Sequence, residues 1–196
     1  MSFMGYLRGF VPWIVAGVVS SFDWRWGAVG GLAASPLLLL QDLVRGVAPD
    51  ALILEASTVG YFVVVGAVAV FDPDSALSGH TDVASFAWLA ATAWGTLAIR
   101  RPFTLGIARR QTPREYWDMP EFFRINSRIT AAWGTGFTFI GVSVLVCDAV
   151  DAPLWAGIAA HAAGLAAPMV FTGVHPARAR ARLLSAPHAP TAAASR

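Results

Sequence analysis

The sequence predicts an all-α polytopic membrane protein with six transmembrane helices, because the chain is poor in charge, contains six apolar runs and segregates its arginines. Of its 196 residues, 56% are hydrophobic and 13% are charged, whereas soluble domains carry about 25% charged residues. So little polar surface disfavours a water-soluble enzyme of this size. A spanning helix needs about 20 residues, so six spans use most of the chain. We expect a single transmembrane domain over residues 1–176.

The first three candidate spans are the apolar runs 7–22, 26–44 and 51–71. The first run follows Arg8 and has an uninterrupted apolar centre. The second contains three glycines, and glycine inside a membrane helix indicates close packing against a neighbouring helix. The third run is apolar except for Glu55, which lies near its start. Charged residues bound each run, as expected of a membrane span.

The remaining candidate spans are the apolar runs 83–99, 128–147 and 152–172. The fifth run opens with polar side chains on one helical face, and the sixth contains His161 among small residues. An acidic loop separates the first three runs from the last three. This division permits an inverted repeat of two three-helix halves without demonstrating one.

All 14 basic side chains are arginines, and they collect on one side of the predicted membrane. If the N-terminus is cytoplasmic, 13 of them lie in cytoplasmic segments and only Arg25 lies outside. Cytoplasmic loops are enriched in positive charge in this way, and six spans with both termini inside satisfy every loop. We therefore predict a bacterial inner-membrane protein with both termini in the cytoplasm. Residues 177–196 are predicted to form a basic, disordered cytoplasmic tail.

The connection between the fourth and fifth runs predicts a helical segment, residues 102–125, that lies in the cytoplasmic interface. Thr112-Pro113-Arg114-Glu115 and Asp118-Met119-Pro120-Glu121 both have the residue order of a capped helix start. Aromatic residues such as Phe103 alternate with arginines, so we expect rings to face acyl chains and guanidinium groups to face phosphates. The candidate contacts to anionic head groups or to a partner protein are Arg100, Arg101, Pro102, Arg109, Arg110, Trp117, Arg124, Arg128 and Trp133.

Glu55 is the most informative ionisable residue within an apolar run. An unpaired carboxylate is costly in hydrocarbon, so Glu55 must be paired, protonated or hydrated. Two interpretations remain open, a structural ion pair near the interface and a carboxylate that binds protons or cations. The candidate partners for an ion pair are Arg128, Arg124, Arg100 and Arg101.

Asn126, Thr130, Trp133 and Phe137 recur at helical spacing, so they share one face of the fifth span. Hydrogen bonding to a neighbouring helix is the commoner use of such side chains, and binding of a polar ligand is the alternative. His161 lies midway along the sixth run, where an imidazole can transfer protons or form a structural hydrogen bond. The candidate polar or ion path therefore consists of Glu55, Asn126, Thr130 and His161.

No motif in the sequence points to catalysis or to a cofactor. A phosphate-binding loop, a nucleophile elbow and a zinc-protease motif are all absent, which disfavours an enzyme. A cation could bind at Asp72, Asp74, His80 and Asp82 in the acidic loop, but their spacing matches no recognised cation site, and a solvated turn explains them without an ion. We expect no catalytic residue, no metal, no cofactor and no nucleic-acid partner. Membrane lipids and membrane proteins are the expected partners, and assembly of several copies stays open.

Several of these residues occur in a recognisable order, namely Arg100-Arg101-Pro102-Phe103, Ala108-Arg109-Arg110, Trp117, Asn126, Trp133 and Phe137. This series resembles the second half of the bacterial intracellular septation protein A family, and Phe10-Val11-Pro12 is similar to that family's opening Phe-Leu-Pro. The connection is longer here, and the arginine-rich tail does not match. The resemblance implies an inner-membrane protein that supports envelope integrity and cell division or elongation through protein contacts, without catalytic residues. The motif positions would be Arg100, Arg101, Pro102, Trp117, Asn126 and Trp133.

Two functions are thus open at the level of sequence. The first is a non-enzymatic envelope protein that acts through lipid and protein contacts at its cytoplasmic face. The alternative is a small-solute or ion transporter or channel, proton-coupled, with a polar path near Glu55, Asn126 and His161.

Overall fold

The computed structural model describes residues 3–20, 22–110 and 112–185, and these residues are helical with no strand among them. The all-α prediction is therefore confirmed for this part of the chain. Three short 3-10 helices, Pro49–Ala51, Ala76–Gly79 and Arg114–Tyr116, lie in the connections. The α-helices are α1 Phe3–Ser20, α2 Trp24–Val44, α3 Ile53–Phe71, α4 Thr81–Ala98, α5 Phe103–Arg109, α6 Pro120–Ala149 and α7 Leu154–Ser185.

Four helices are long and apolar enough to cross a membrane, namely α2, α3, α6 and the segment Leu154–Pro176 of α7. A fifth candidate is the pair α4 and α5, which is bent by 77° at the break between them. In α1 the apolar segment Val11–Ser20 is shorter. The residues searched thus contain four candidate spans, or five with the bent pair, where the sequence predicts six. These helices are compatible with a multi-pass membrane protein.

Two helix boundaries differ from the sequence prediction. Helix α6 begins at Pro120, inside the predicted interfacial segment, rather than at residue 128. Helix α7 continues to Ser185, so residues 177–185 are helical in place of the predicted disordered tail. Proline removes one backbone hydrogen bond from a helix. The helix nevertheless continues past Pro176, because the alanines and arginines that follow are strong helix formers. Residues 186–196 of the predicted tail lie outside the described residues.

The helices pack as two groups of three. Helix α2 lies between α1 and α3, and α6 lies between α4 and α7. Each group has its own apolar core, built around Phe62 in the first and around Phe137 in the second. Trp13 of α1 packs against both cores. This is the three-plus-three division that the sequence permits.

Large apolar side chains cover the outside of the helices. Soluble monomers rarely expose a contiguous apolar surface beyond a few hundred Å², whereas a surface in contact with lipid hydrocarbon is apolar throughout. The outward positions continue along α2, α3, α6 and α7. Examples of exposed side chains are Trp26, Leu37, Val63, Val70, Val142, Leu145, Val146, Ile158 and Met169.

Three helices end in the same capping motif. The residue after the C-cap takes a positive φ, at Gly46 (75°) after α2, at Arg100 (57°) after α4 and at Asp151 (49°) after α6. In each case the next amide donates to the carbonyl of the third-last helical residue, as in Arg101 to Thr96. This pattern is the Schellman motif, which usually has glycine at the positive-φ position. It stops α4 sharply before Pro102 and so creates the break between α4 and α5.

We predict that Arg100→Val lowers the free energy of unfolding by about 1–2 kcal/mol, because a β-branched side chain is strained at positive φ. Arg100→Gly should leave the stability unchanged or raise it. Arg101→Val is the matched control, since Arg101 is also exposed but does not take a positive φ. The measurement is thermal unfolding in detergent micelles, and an equal loss in both valine variants would contradict the prediction.

Candidate functional site

The break after α4 turns the chain back into the bundle. Pro102 is almost fully buried, and the Phe103 side chain is only 4% exposed. Phe103 belongs to the second core with Leu89 and Phe137. Its ring therefore packs inside the protein, whereas the sequence prediction had it facing acyl chains. The physical reason is the sharp turn at Arg100, which directs α5 inward rather than along the interface.

Helix α5 touches the connection between α2 and α3 at the level of the backbone. A Cβ atom added at Gly106 would overlap the carbonyl group of Asp50. Only glycine therefore allows α5 to approach the 3-10 helix Pro49–Ala51 this closely. Sequence reasoning missed Gly106, and the only signal for it was a glycine within a short apolar stretch between two basic segments.

An ion pair joins the C-terminal end of α5 to the connection between α2 and α3. The Arg109 Nη1 atom lies 2.7 Å from an Asp50 carboxylate oxygen. The contact joins residues that are far apart in sequence, so it ties the α2–α3 connection to the α4–α6 connection at one end of the bundle. We call this end, formed by residues 45–52, 99–110 and 112–119, the arginine-rich end.

Trp117 contacts two guanidinium groups at the arginine-rich end. The guanidinium carbons of Arg109 and Arg114 lie 5.4 Å and 5.5 Å from the Trp117 ring centroid, within the range of cation–π interactions. The indole N–H donates to the Thr112 carbonyl at 2.9 Å, which fixes the ring. We call Arg109, Arg114 and Trp117 the Arg–Trp cluster. Arg100, Arg101 and Arg110 of the arginine-rich end are also exposed.

A helix begins at each of the two predicted helix starts in this connection, at Arg114 and at Pro120, but no side chain caps either one. Pro113 precedes the 3-10 helix, and no side chain caps it. Helix α6 has Pro120 in its first turn as predicted, but Met119 rather than Asp118 is its N-cap. Arg124 of this first segment of α6 pairs with Glu121 at 2.7 Å. Arg128, one turn further along α6, is exposed.

A buried polar group joins α5 to α6 beside the break. The Thr104 hydroxyl donates to the Asn126 carbonyl at 2.9 Å and lies 2.8 Å from the Thr130 hydroxyl. Asn126 is 3% exposed and Thr130 is fully buried, and the Asn126 amide donates to the Phe122 carbonyl. The structure thus brings the predicted Asn126 and Thr130 together and adds Thr104, which sequence reasoning missed. The two contacts of Thr104 are hydrogen bonds between helices, whereas the Asn126 side chain bonds within α6.

Trp133 links α6 to α7 through a side-chain hydrogen bond. Its indole N–H donates to the Thr172 hydroxyl at 3.1 Å, and that hydroxyl donates to the Pro168 carbonyl. The ring also packs against Phe137, with centroids 5.5 Å apart. The predicted stripe on α6 therefore divides into buried polar contacts to α5 and a hydrogen bond from Trp133 to α7.

His161 lies at the opposite end of the bundle from the Arg–Trp cluster. Its Nε2 atom is 3.2 Å from an Asp82 carboxylate oxygen, so it links α7 to the start of α4. Its Nδ1 atom is 2.8 Å from the Gly157 carbonyl oxygen. Asp82 belongs to the acidic loop, but no group of three or more His, Cys, Asp or Glu able to hold a metal occurs among the residues searched.

An aromatic layer separates His161 from the buried polar group of Asn126 and Thr130. The Phe86 ring contacts the His161 ring on one side and the Phe137 ring on the other, and Phe137 contacts Trp133. Thr130 and Phe137 are seven residues apart on α6, which is about 10 Å along a helix. Glu55 is half-buried in the first turn of α3, at the arginine-rich end. His161 is therefore not part of the hydrogen-bonded group that contains Asn126 and Thr130.

We predict that Gly106→Ala detaches α5 from the α2–α3 connection, because the added methyl group has no space. The expected result is loss of thermal stability by several degrees together with faster proteolysis between residues 100 and 120. Gly95→Ala is the matched control, since a Cβ there meets nothing within 4 Å. Unchanged protease resistance in Gly106→Ala would contradict the close contact.

The residues that carry the resemblance to the septation protein A family surround α5. Arg100, Arg101 and Pro102 form the break before it, Trp117 stacks with Arg109 at its end, and Asn126 hydrogen-bonds with Thr104. Comparison of the chain with protein-family models, with curated proteins and with solved structures finds no match. The resemblance to the septation protein A family therefore stays a hypothesis.

Proposed function

We propose that the chain is a non-enzymatic multi-pass protein of a bacterial inner membrane, of the envelope-integrity or cell-division and elongation type that the resemblance implies. In this proposal it spans the membrane six times and binds lipid head groups and a protein partner at its cytoplasmic arginine-rich end. The Arg–Trp cluster, anchored through Arg109 to Asp50, is the observation that carries the proposal.

The distribution of charge supports a cytoplasmic arginine-rich end. Arginines in both connections at that end satisfy the positive-inside rule. At the other end Arg25 is neutralised locally, since its guanidinium group hydrogen-bonds to Asp23. This hydrogen bond holds the pKa of the Asp23 carboxyl below its usual value, so the pair stays charged over the physiological pH range. With both connections inside and α1 as a first span, both termini are cytoplasmic.

The Arg–Trp cluster is suited to recognising anionic groups. Arg114 is exposed, and its guanidinium group is stacked on an indole that is itself hydrogen-bonded. A guanidinium group held in this way presents its donors to a phosphate or carboxylate with little loss of side-chain freedom. Each basic residue near an anionic membrane surface contributes about 1 kcal/mol. Such a face can rest on lipid head groups and bind an acidic segment of a partner.

Photo-crosslinking in cells tests the partner contact. A photoreactive residue in place of Arg110 or Arg114 should give reproducible adducts with proteins of cell division, elongation or the envelope. The same residue in place of Leu145, which is exposed far from the arginine-rich end, is the control and should give lipid adducts only. Lipid adducts alone at positions 110 and 114 would count against the partner role.

One observation favours transport as a second candidate function. The candidate span formed by α4 and α5 is broken by 77°, and buried hydroxyl and amide groups lie beside the break. Transporters use broken helices of this kind to expose polar backbone and side-chain groups at substrate sites. The candidate path would run near Glu55, Asn126 and Thr130 and would have to pass the aromatic layer to reach His161.

Flux through proteoliposomes distinguishes the two functions. We expect no proton, cation or osmolyte flux above protein-free vesicles, because rings of Phe86, Phe137 and Trp133 separate the polar groups at the two ends. Flux that Glu55→Gln abolishes and Arg25→Gln leaves intact would instead support the transporter.

A further inference from the structure

We propose that a groove between α6 and α7 is a binding site for one acyl chain of an anionic phospholipid, and that Arg128 binds the phosphate of that lipid. The inference deepens the proposed function and rests on its assignment of the arginine-rich end to the cytoplasm. It commits to a lipid of the cytoplasmic leaflet as the occupant.

The groove exists because α6 and α7 cross in direct contact at two glycines. A Cβ atom added at Gly136 would overlap the Gly164 carbonyl oxygen, and one added at Gly164 would overlap the Ile140 side chain. Beside this crossing, small side chains such as Ala132 leave an open volume of about 460 Å³. Ligand sites in proteins have volumes of about 300–1,000 Å³.

The walls of the groove are apolar and open on the outer surface of the bundle. Phe139 of α6 and Phe171 of α7 both line it. Phe139 is 49% exposed, and Val142 of α6 and Met169 of α7 are each 56% exposed. In a membrane this surface faces hydrocarbon, so a chain that enters the groove sideways loses no contact with water. The chemistry of the lining therefore fits an acyl chain rather than a polar solute.

The depth of the groove fits one leaflet. Arg128, Ala132, Thr135 and Phe139 recur at spacings of four, three and four, so they lie along one face of α6. The rise from Arg128 to Phe139 is about 16 Å at 1.5 Å per residue. Half of a hydrocarbon core about 30 Å thick is nearly the same length. With Arg128 at the depth of the phosphates, the groove ends near the midplane.

Arg128 supplies the charge that selects an anionic lipid. It is exposed one helical turn before Ala132, the first lining residue of the groove on α6, and the ion pairs of the described arginines involve Arg25, Arg45, Arg109 and Arg124 instead. A side chain on a helix points back toward the helix N-terminus, which for Arg128 is toward the arginine-rich end. Its guanidinium group can therefore reach the phosphate layer and bind two phosphate oxygens.

The same charge argues against a second copy of the chain as the occupant. Two copies related by a two-fold axis along the membrane normal would present the same face to each other. Their Arg128 side chains would then approach at the same depth, and like charges without an intervening anion repel. A phospholipid supplies that anion and an acyl chain at once.

Native mass spectrometry of the purified full-length chain tests the site, with phosphatidylglycerol and phosphatidylcholine as probes. We expect each chain to retain one phosphatidylglycerol and no phosphatidylcholine. Arg128→Gln should weaken phosphatidylglycerol retention at least tenfold, and Arg128→Lys should restore part of it. Ala167→Phe, which fills the groove, should have the same effect as Arg128→Gln.

The controls separate this site from general charge and from misfolding. Ala166→Phe adds the same bulk at the neighbouring exposed position, outside the groove, and should retain the lipid. Arg25→Gln removes a charge at the opposite end and should also retain it. Unchanged retention in Arg128→Gln and Ala167→Phe would overturn the proposal. A dimer that Ala167→Phe converts to a monomer, with lipid retention unaffected, would also overturn it and identify the groove as an interface between copies.

The outcome is independent of the partner role. If lipid retention fails while crosslinks from positions 110 and 114 persist, only the groove proposal is wrong. If the crosslinks fail while phosphatidylglycerol retention depends on Arg128 and Ala167, the lipid site stands and the partner role is wrong.

Discussion

The seating of α5 against the α2–α3 connection determines the rest of the arginine-rich end. Backbone contact at Gly106 and the ion pair of Arg109 with Asp50 hold a helix of seven residues that would not be stable alone. Once α5 is held there, Phe103 fills the second core and Thr104 meets Thr130. Arg109 is then in position to stack on Trp117. The Arg–Trp cluster is therefore a consequence of how the chain turns after α4.

The helices were predictable from the sequence because each apolar run has the length and bounds of a helix. All six predicted runs coincide with helices, and the boundaries of α2, α3 and α4 agree within a few residues. The length of α6 was not predictable in the same way. Its first turns are amphipathic and charged, so the hydropathy pattern assigned them to the connection between spans and not to a helix. Alanine and arginine propensity similarly extends α7 beyond the hydrophobic part of the chain.

The candidate site was only partly predictable. Helical spacing was sufficient to group Asn126 with Thr130, and the placement of aromatic residues among arginines was sufficient to single out Trp117. The partners of these residues come from distant parts of the chain, such as Asp50 for Arg109 and Thr104 for Thr130. No local pattern encodes such pairs, because they depend on the turn at Arg100, where an arginine occupies a position that usually has glycine. The contact of His161 with Asp82 also joins helices that are distant in sequence, α7 and α4, so no local pattern predicts it.

The aromatic layer of Phe86, Phe137 and Trp133 has an electrical consequence. In the proposed membrane topology these rings lie in the low-dielectric region between the two hydrated ends of the bundle, across which the membrane potential would fall. Buried hydroxyl groups near α5 and the imidazole near Asp82 would thus sense different potentials. A protein built in this way can keep charged surfaces in contact with both aqueous phases while the bilayer remains insulating.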